Sequence, residues 1–178
     1  MAFRDKKGIG VGQVFVFIIA ALTFSLILIF GYRAIGGFLK SGEEVAFVQF
    51  KTGLESDIKK IYAEFGSVRV ERYSTPVTYS QICFVDLEAP YDSELCTFDQ
   101  VACSIWKETS EAGRGYDGAD ENVFLTPPAP VKMKVHRISI EEKNGKNFLC
   151  LPIKQGAFSM VMEGKGDKTL LSELPSEG

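Results

Sequence analysis

The stretch KKGIGVGQVFVFIIAALTFSLILIFGY, Lys6 to Tyr32, decides how the rest of the chain is read. From Val14 to Phe30 it carries no charged side chain, and its hydroxyls are those of Thr23 and Ser25. As a helix rising about 1.5 Å per residue, this run with Gly31 and Tyr32 spans most of a hydrocarbon core of roughly 30 Å. Tyr32 then falls at the interface, where an aromatic ring with a polar tip is favoured. A removable secretion signal has an apolar region of about 7–15 residues followed by a small-x-small site. This run is longer, and IFGYRAIGG holds no A-x-A. A core helix would need a second apolar helix of similar length to pack against, and the sequence has none. The run therefore reads as a retained membrane helix.

Charge sets the orientation. Arg4, Lys6 and Lys7 precede the run, and Arg33 and Lys40 follow it. The more basic flank stays in the cytoplasm, and four cysteines suit an oxidising exterior, which together place the N-terminus inside and the bulk of the chain outside. Residues 1–40 hold five basic side chains against Asp5; the remaining residues hold 15 basic against 22 acidic. An acidic domain without an Arg/Lys cluster excludes a nucleic-acid surface.

Beyond the run, GYRAIGGFLKSGEE is a glycine-containing transition, and each glycine weakens a helix by about 1 kcal/mol relative to alanine. Ser41, with Glu43 and Glu44 behind it, reads as a helix restart. Phe47, Phe50, Leu54, Ile58, Ile61 and Phe65 then recur at steps of three and four, which makes one apolar helical stripe. After Gly66 the pattern turns to strands. SVRVERYS alternates, SQICFVDLE is a short apolar strand, VACSIW is a further strand around Trp106, and NVFLTPPAP ends in prolines. VKMKVHRISIEE is a strand with a phase slip at His136-Arg137. Asn144-Gly145 marks a hairpin into FLCLPI, and FSMVMEGKGDKTLLSEL forms a second hairpin turning near Glu163 to Asp167. The expected organisation is a basic leader over 1–13, a transmembrane helix over 14–38, an amphipathic stalk helix over 39–66 and an extracytoplasmic β-rich domain over 67–178. The fold class is α+β: a long N-terminal helix followed by an antiparallel sheet whose dry face the helix stripe covers.

Four cysteines, Cys83, Cys96, Cys103 and Cys150, permit three pairings. None forms a C-x-x-C, so no zinc ribbon or thioredoxin-like redox motif is present. Structural disulfides outside the cell are expected. Cys83 with Cys150, each in an apolar strand, and Cys96 with Cys103, closing a local loop, are the favoured pairs. His136 is the sole histidine and lacks the partners of a Ser-His-Asp or H-E-x-x-H set. Asp117, Asp120 and Glu121 crowd a glycine-rich loop, but their spacing is not that of a calcium loop. No catalytic set, cofactor site or metal site is expected, and no N-x-S/T acceptor occurs.

A short basic leader ending in Lys6-Lys7-Gly8, Gln13 opening an apolar helix, an amphipathic continuation and a C-terminal β-domain together resemble type IV pilin-like proteins. The leader resembles in particular that of the archaeal class with short basic signals (class III signal peptides). The resemblance implies that a membrane peptidase cuts the leader on the cytoplasmic side, after Gly8 or after Gly12. It implies a helix that first anchors the subunit in the bilayer and then packs against other copies or related subunits in a filament, with the head facing out. Ala21 and Ser25, four residues apart, would let two such helices approach closely. Many pilins carry a glutamate five residues into the mature helix. Counted from Gln13 that place holds Phe17, and counted from Ile9 it holds Gln13. An anchored adaptor or binding domain that does not polymerise needs no such glutamate.

Overall fold

A computed structural model describes residues 11–141 and 145–175, with the backbone alone described at residues 11 and 36–41. The chain divides into two units, Met1–Glu44 and Val45–Gly178. Helix α1 (Val11–Tyr62) runs across that division. Ser41 therefore stands inside a helix rather than capping a new one. The glycines do not interrupt it, because a glycine retains its backbone donor and acceptor and costs only the local entropy.

In the first unit, α1 is apolar on every side from Val14 to Phe30. In the second, its residues from Val45 onward bury a single stripe. Phe47, Phe50, Leu54, Ile58 and Ile61 are at most 5% exposed. Phe65, expected on the same stripe, is 81% exposed. The helix ends at Tyr62, and Ser67 N–H donates to the Glu64 carbonyl (3.1 Å) in the turn that follows. Phe65 thus leaves the helical period before it reaches the core.

Two sheets receive the stripe. One has the order β1-β6-β7-β4, built from β1 (Val68–Ser74), β6 (Ala157–Gly164), β7 (Thr169–Ser172) and β4 (Ile138–Ile140). The other has the order β3-β2-β5, built from β3 (Val123–Thr126), β2 (Gln81–Val85) and β5 (Phe148–Pro152). The arrangement is α+β, but β4 pairs with β7 in parallel, so the first sheet is mixed. Phe50 meets Phe158 and Tyr73 edge-on, and Met160 and Met162 are fully buried in the same core. Burying a side chain of this size contributes about 1.5–3 kcal/mol. Thr169 Oγ1 donates to the Ile58 carbonyl (3.0 Å), tying β7 to the helix backbone.

Several sequence expectations are corrected. VACSIW is helical: α2 (Gln100–Glu111) contains it. Asp99 caps α2 by accepting from Val101 N–H and Ala102 N–H, both at 2.9 Å. Ala102, Cys103, Trp106 and Thr109 then bury one helical face. The hairpin at Asn144-Gly145 does not form, because β4 and β5 belong to different sheets; Asn144 itself lies outside the described residues. VKMKVHRISIEE is strand only over Ile138–Ile140. Upstream of it, buried Asn122 replaces a neighbouring strand: its Oδ1 accepts from Val135 N–H (2.8 Å) and its Nδ2 donates to the Val135 carbonyl (3.3 Å). In β1 the parity is opposite to what the valines suggest. Val68 and Val70 face solvent, while Tyr73 turns inward to stack on Phe158 at 5.4 Å. One large aromatic outweighs two valines in setting which face is buried.

The closest approach of helix and sheet is at Gly164. A Cβ there would lie 2.2 Å from both the Ile61 and the Glu64 carbonyl oxygens, backbone atoms that cannot step aside. Gly164→Ala is expected to destabilise the head by at least ~1–3 kcal/mol. Gly53→Ala, on α1 with nothing within 4 Å of its Cβ, is expected to stabilise by about 0.5–1 kcal/mol. Thermal unfolding of the full chain in detergent, followed by circular dichroism, reads the two opposite signs. A neutral Gly164→Ala would contradict this packing.

Candidate functional site

Among the described residues one helical segment, Gly12–Ile35, is long and apolar enough to cross a membrane, with a mean hydropathy of 2.8. None of its best window is buried within the chain. At about 1.5 Å per residue its 24 residues extend about 36 Å, against roughly 30 Å of hydrocarbon. Phe15, Phe17, Phe24, Ile27 and Phe30 are each more than 60% exposed and point to different sides of the helix. The hydroxyls are internally satisfied. Thr23 Oγ1 donates to the Ile19 and Ala20 carbonyls, both at 3.0 Å, and Ser25 Oγ donates to the Ala21 carbonyl at 2.8 Å. With these bonds the polar side chains between Val14 and Phe30 are paired within the helix and can enter hydrocarbon without leaving an unmet hydrogen bond. Ala21 and Ser25 lie on one face, joined by that bond. Gly12 and Gln13 lie in the first turn of α1; Lys6, Lys7 and Gly8 lie outside the described residues.

In the head, Cys83–Cys150 and Cys96–Cys103 are disulfides, and no cysteine is free. Cys83 and Cys150 face each other across the β2–β5 ladder. Their bond closes a span of 67 residues and that of Cys96–Cys103 a span of 7. By chain entropy alone these contribute about 4 and about 2 kcal/mol. Tyr91 places its hydroxyl 3.3 Å from Cys96 Sγ and 3.1 Å from Cys103 Sγ, over the edge of buried Trp106.

The acidic loop does not converge. Asp120 accepts from Lys132 Nζ at 2.8 Å, and that bond holds its carboxyl below the usual range. Asp117 pairs with Arg137 at 3.3 Å. Burial pushes the Glu121 carboxyl up. No group of three or more His, Cys, Asp or Glu among the described residues is placed to hold a metal ion.

His136 sits in a setting that its sequence neighbours do not reveal. Its ring lies 4.1 Å from that of Tyr62, on α1, and 6.4 Å from that of Tyr116, in the single helical turn α3 (Gly115–Gly118). Lys134 Nζ stands 4.2 Å over the Tyr116 ring. His136 Nδ1 accepts from Arg137 N–H at 2.9 Å. Tyr62 and Tyr116 are 74 and 20 residues away in the chain; the docking of α1 brings Tyr62 here, and the Tyr116 hydroxyl donates to the Val135 carbonyl at 3.0 Å. Concavities of about 200 Å³ lie by Phe98, Lys146 and Phe148 and by Asp99, Glu121 and Val131, and a larger one of about 560 Å³ lies by Arg72, Leu151 and Phe158. None of these includes His136. The arrangement is that of a packed imidazole, without a carboxylate to orient it as a base.

Comparison with protein-family models, with curated proteins and with solved structures gives no match.

Burial, together with the Lys59 and Arg137 charges, holds the His136 pKa below its ordinary 6.5. The unfolded chain therefore binds this proton more readily than the folded one. The contribution to stability is present above about pH 6.5 and is lost as pH falls through the lowered folded value. Unfolding of the full chain in detergent from pH 8 to pH 5 is expected to show this loss, and His136→Gln is expected to flatten that part of the profile. An identical profile for the variant would contradict it.

Proposed function

We propose that this chain is a single-pass membrane protein of the pilin-like kind, a structural subunit of a surface filament or pseudopilus. The observation that carries the reading is the change in burial along α1. The apolar run from Val14 to Phe30 shows apolar side chains on all sides and is exposed, while the residues from Phe47 to Ile61 bury one stripe in a disulfide-linked α+β head. Between Val14 and Phe30, 13 of 17 residues are Val, Ile, Leu or Phe. At about 0.3–0.6 kcal/mol each, they favour insertion by roughly 4–8 kcal/mol. The basic leader stays in the cytoplasm, and the head with its disulfides stands on the oxidising side. On leaving the bilayer the same apolar surface meets the helices of other subunits, with Ala21 and Ser25 as the place of close approach.

The second reading is an anchored adaptor or binding domain that stays in the membrane. Phe17, standing where many pilins carry a glutamate, favours it. Neither reading uses catalysis, a cofactor or a nucleic acid.

The intact mass of the protein taken from its native membrane separates the two. Loss of the first 8 or the first 12 residues is expected for the filament subunit. An uncut chain would contradict prepilin-type processing and leave the adaptor.

A further inference from the structure

β1 is the outermost strand of its sheet, so one of its edges is unpaired. The bonds at its two ends show which residues face that edge. Thr75 N–H donates to the Gly156 carbonyl at 2.8 Å, and Gly164 N–H donates to the Ser67 carbonyl at 2.9 Å. With the register between them, Arg69, Glu71 and Tyr73 spend their backbone groups on β6, and Val68, Val70 and Arg72 turn theirs outward. The edge is seven residues long, carries no proline, and leaves Val68 and Val70 61% and 60% exposed. An unpaired edge is a template for another strand, and its charged side chains limit which strand can pair there.

We propose that two copies of the chain pair through this edge, antiparallel, about a two-fold axis at Val70. Charge selects the occupant and the register. With Val70 facing Val70, Arg69 of each copy lies opposite Glu71 of the other, and the symmetry forms this pair twice. Shifting the axis by one residue sets Glu71 against Glu71 or Arg69 against Arg69, which is destabilising. Glu71 is half-buried beside a groove of about 360 Å³ that runs between β1 and α1 past Phe50 and Asp57. No ion pair within its own chain engages its carboxylate among the described residues. Arg69 already holds Glu64 at 2.6 Å, and the guanidinium has donors left for a second carboxylate. The interface belongs to the head alone and goes beyond the filament reading.

Because the four native cysteines are bonded, a cysteine introduced into the full chain is its sole free thiol. Facing residues of such a pair lie about 5.5 Å apart at Cα, whereas the two copies of residue 68 lie about 14 Å apart. In detergent, Val70→Cys treated with a short bismaleimide is expected to give a covalent dimer, and Val68→Cys a monomer. A monomeric Val70→Cys chain, or equal cross-linking of both, would overturn the interface. Glu71→Arg added to Val70→Cys is expected to abolish the dimer, and the further exchange Arg69→Glu to restore it. Loss without restoration would overturn the register. A processed leader together with a monomeric Val70→Cys chain would reject this interface and leave the filament reading standing.

Discussion

The rest of the head depends on the docking of the last turns of α1 onto β6. Ile61 and Glu64 bring their carbonyl oxygens so near Gly164 that no side chain fits there. That approach lets Ile58 and Ile61 reach full burial and brings the Ile58 carbonyl within reach of Thr169 Oγ1. Without it the stripe would stand off the sheet by the width of a methyl group. A gap of that size loses much of the dispersion energy between the facing side chains.

Two cores follow from this contact. The stripe, β1, β6 and one face of β2 enclose the larger one. The opposite face of β2, with Cys83 and Val85, packs against α2 and Trp106 in the smaller one. β2 is thus covered on both faces, and its burial pattern is nearly continuous rather than alternating. The Cys83–Cys150 bond fixes β2 to β5 at the layer between the two cores. The Cys96–Cys103 bond holds the smaller core's cap together beneath Tyr91.

What was legible in the sequence was what depends on local period. The apolar run and the stripe from Phe47 to Ile61 are visible because helical spacing repeats over many residues. The hairpin of β6 and β7 is visible because both strands and their turn are contiguous. Elsewhere the sequence expectation failed, once against local signals and otherwise because a distant partner decides the outcome. VACSIW has strand-forming residues, but the Asp99 cap and the spacing of Ala102, Cys103, Trp106 and Thr109 make it a helix. Asn144-Gly145 has the composition of a hairpin turn, yet the strands on either side pair with β7 and β2. The Tyr62–His136–Tyr116 cluster is written nowhere in local spacing, because the docking of α1 supplies Tyr62 and α3 supplies Tyr116.

The central claim is that Gly12–Ile35 anchors the chain in lipid before any filament assembly, and density-gradient flotation of carbonate-washed native membranes, sheared free of surface filaments, tests it most directly. The alkaline wash strips proteins held at the surface, and flotation separates lipid-borne chains from protein-only aggregates or fibres. The account predicts that the chain rises with the lipid. A chain that is released by the wash, or that stays at the bottom of the gradient, would contradict it.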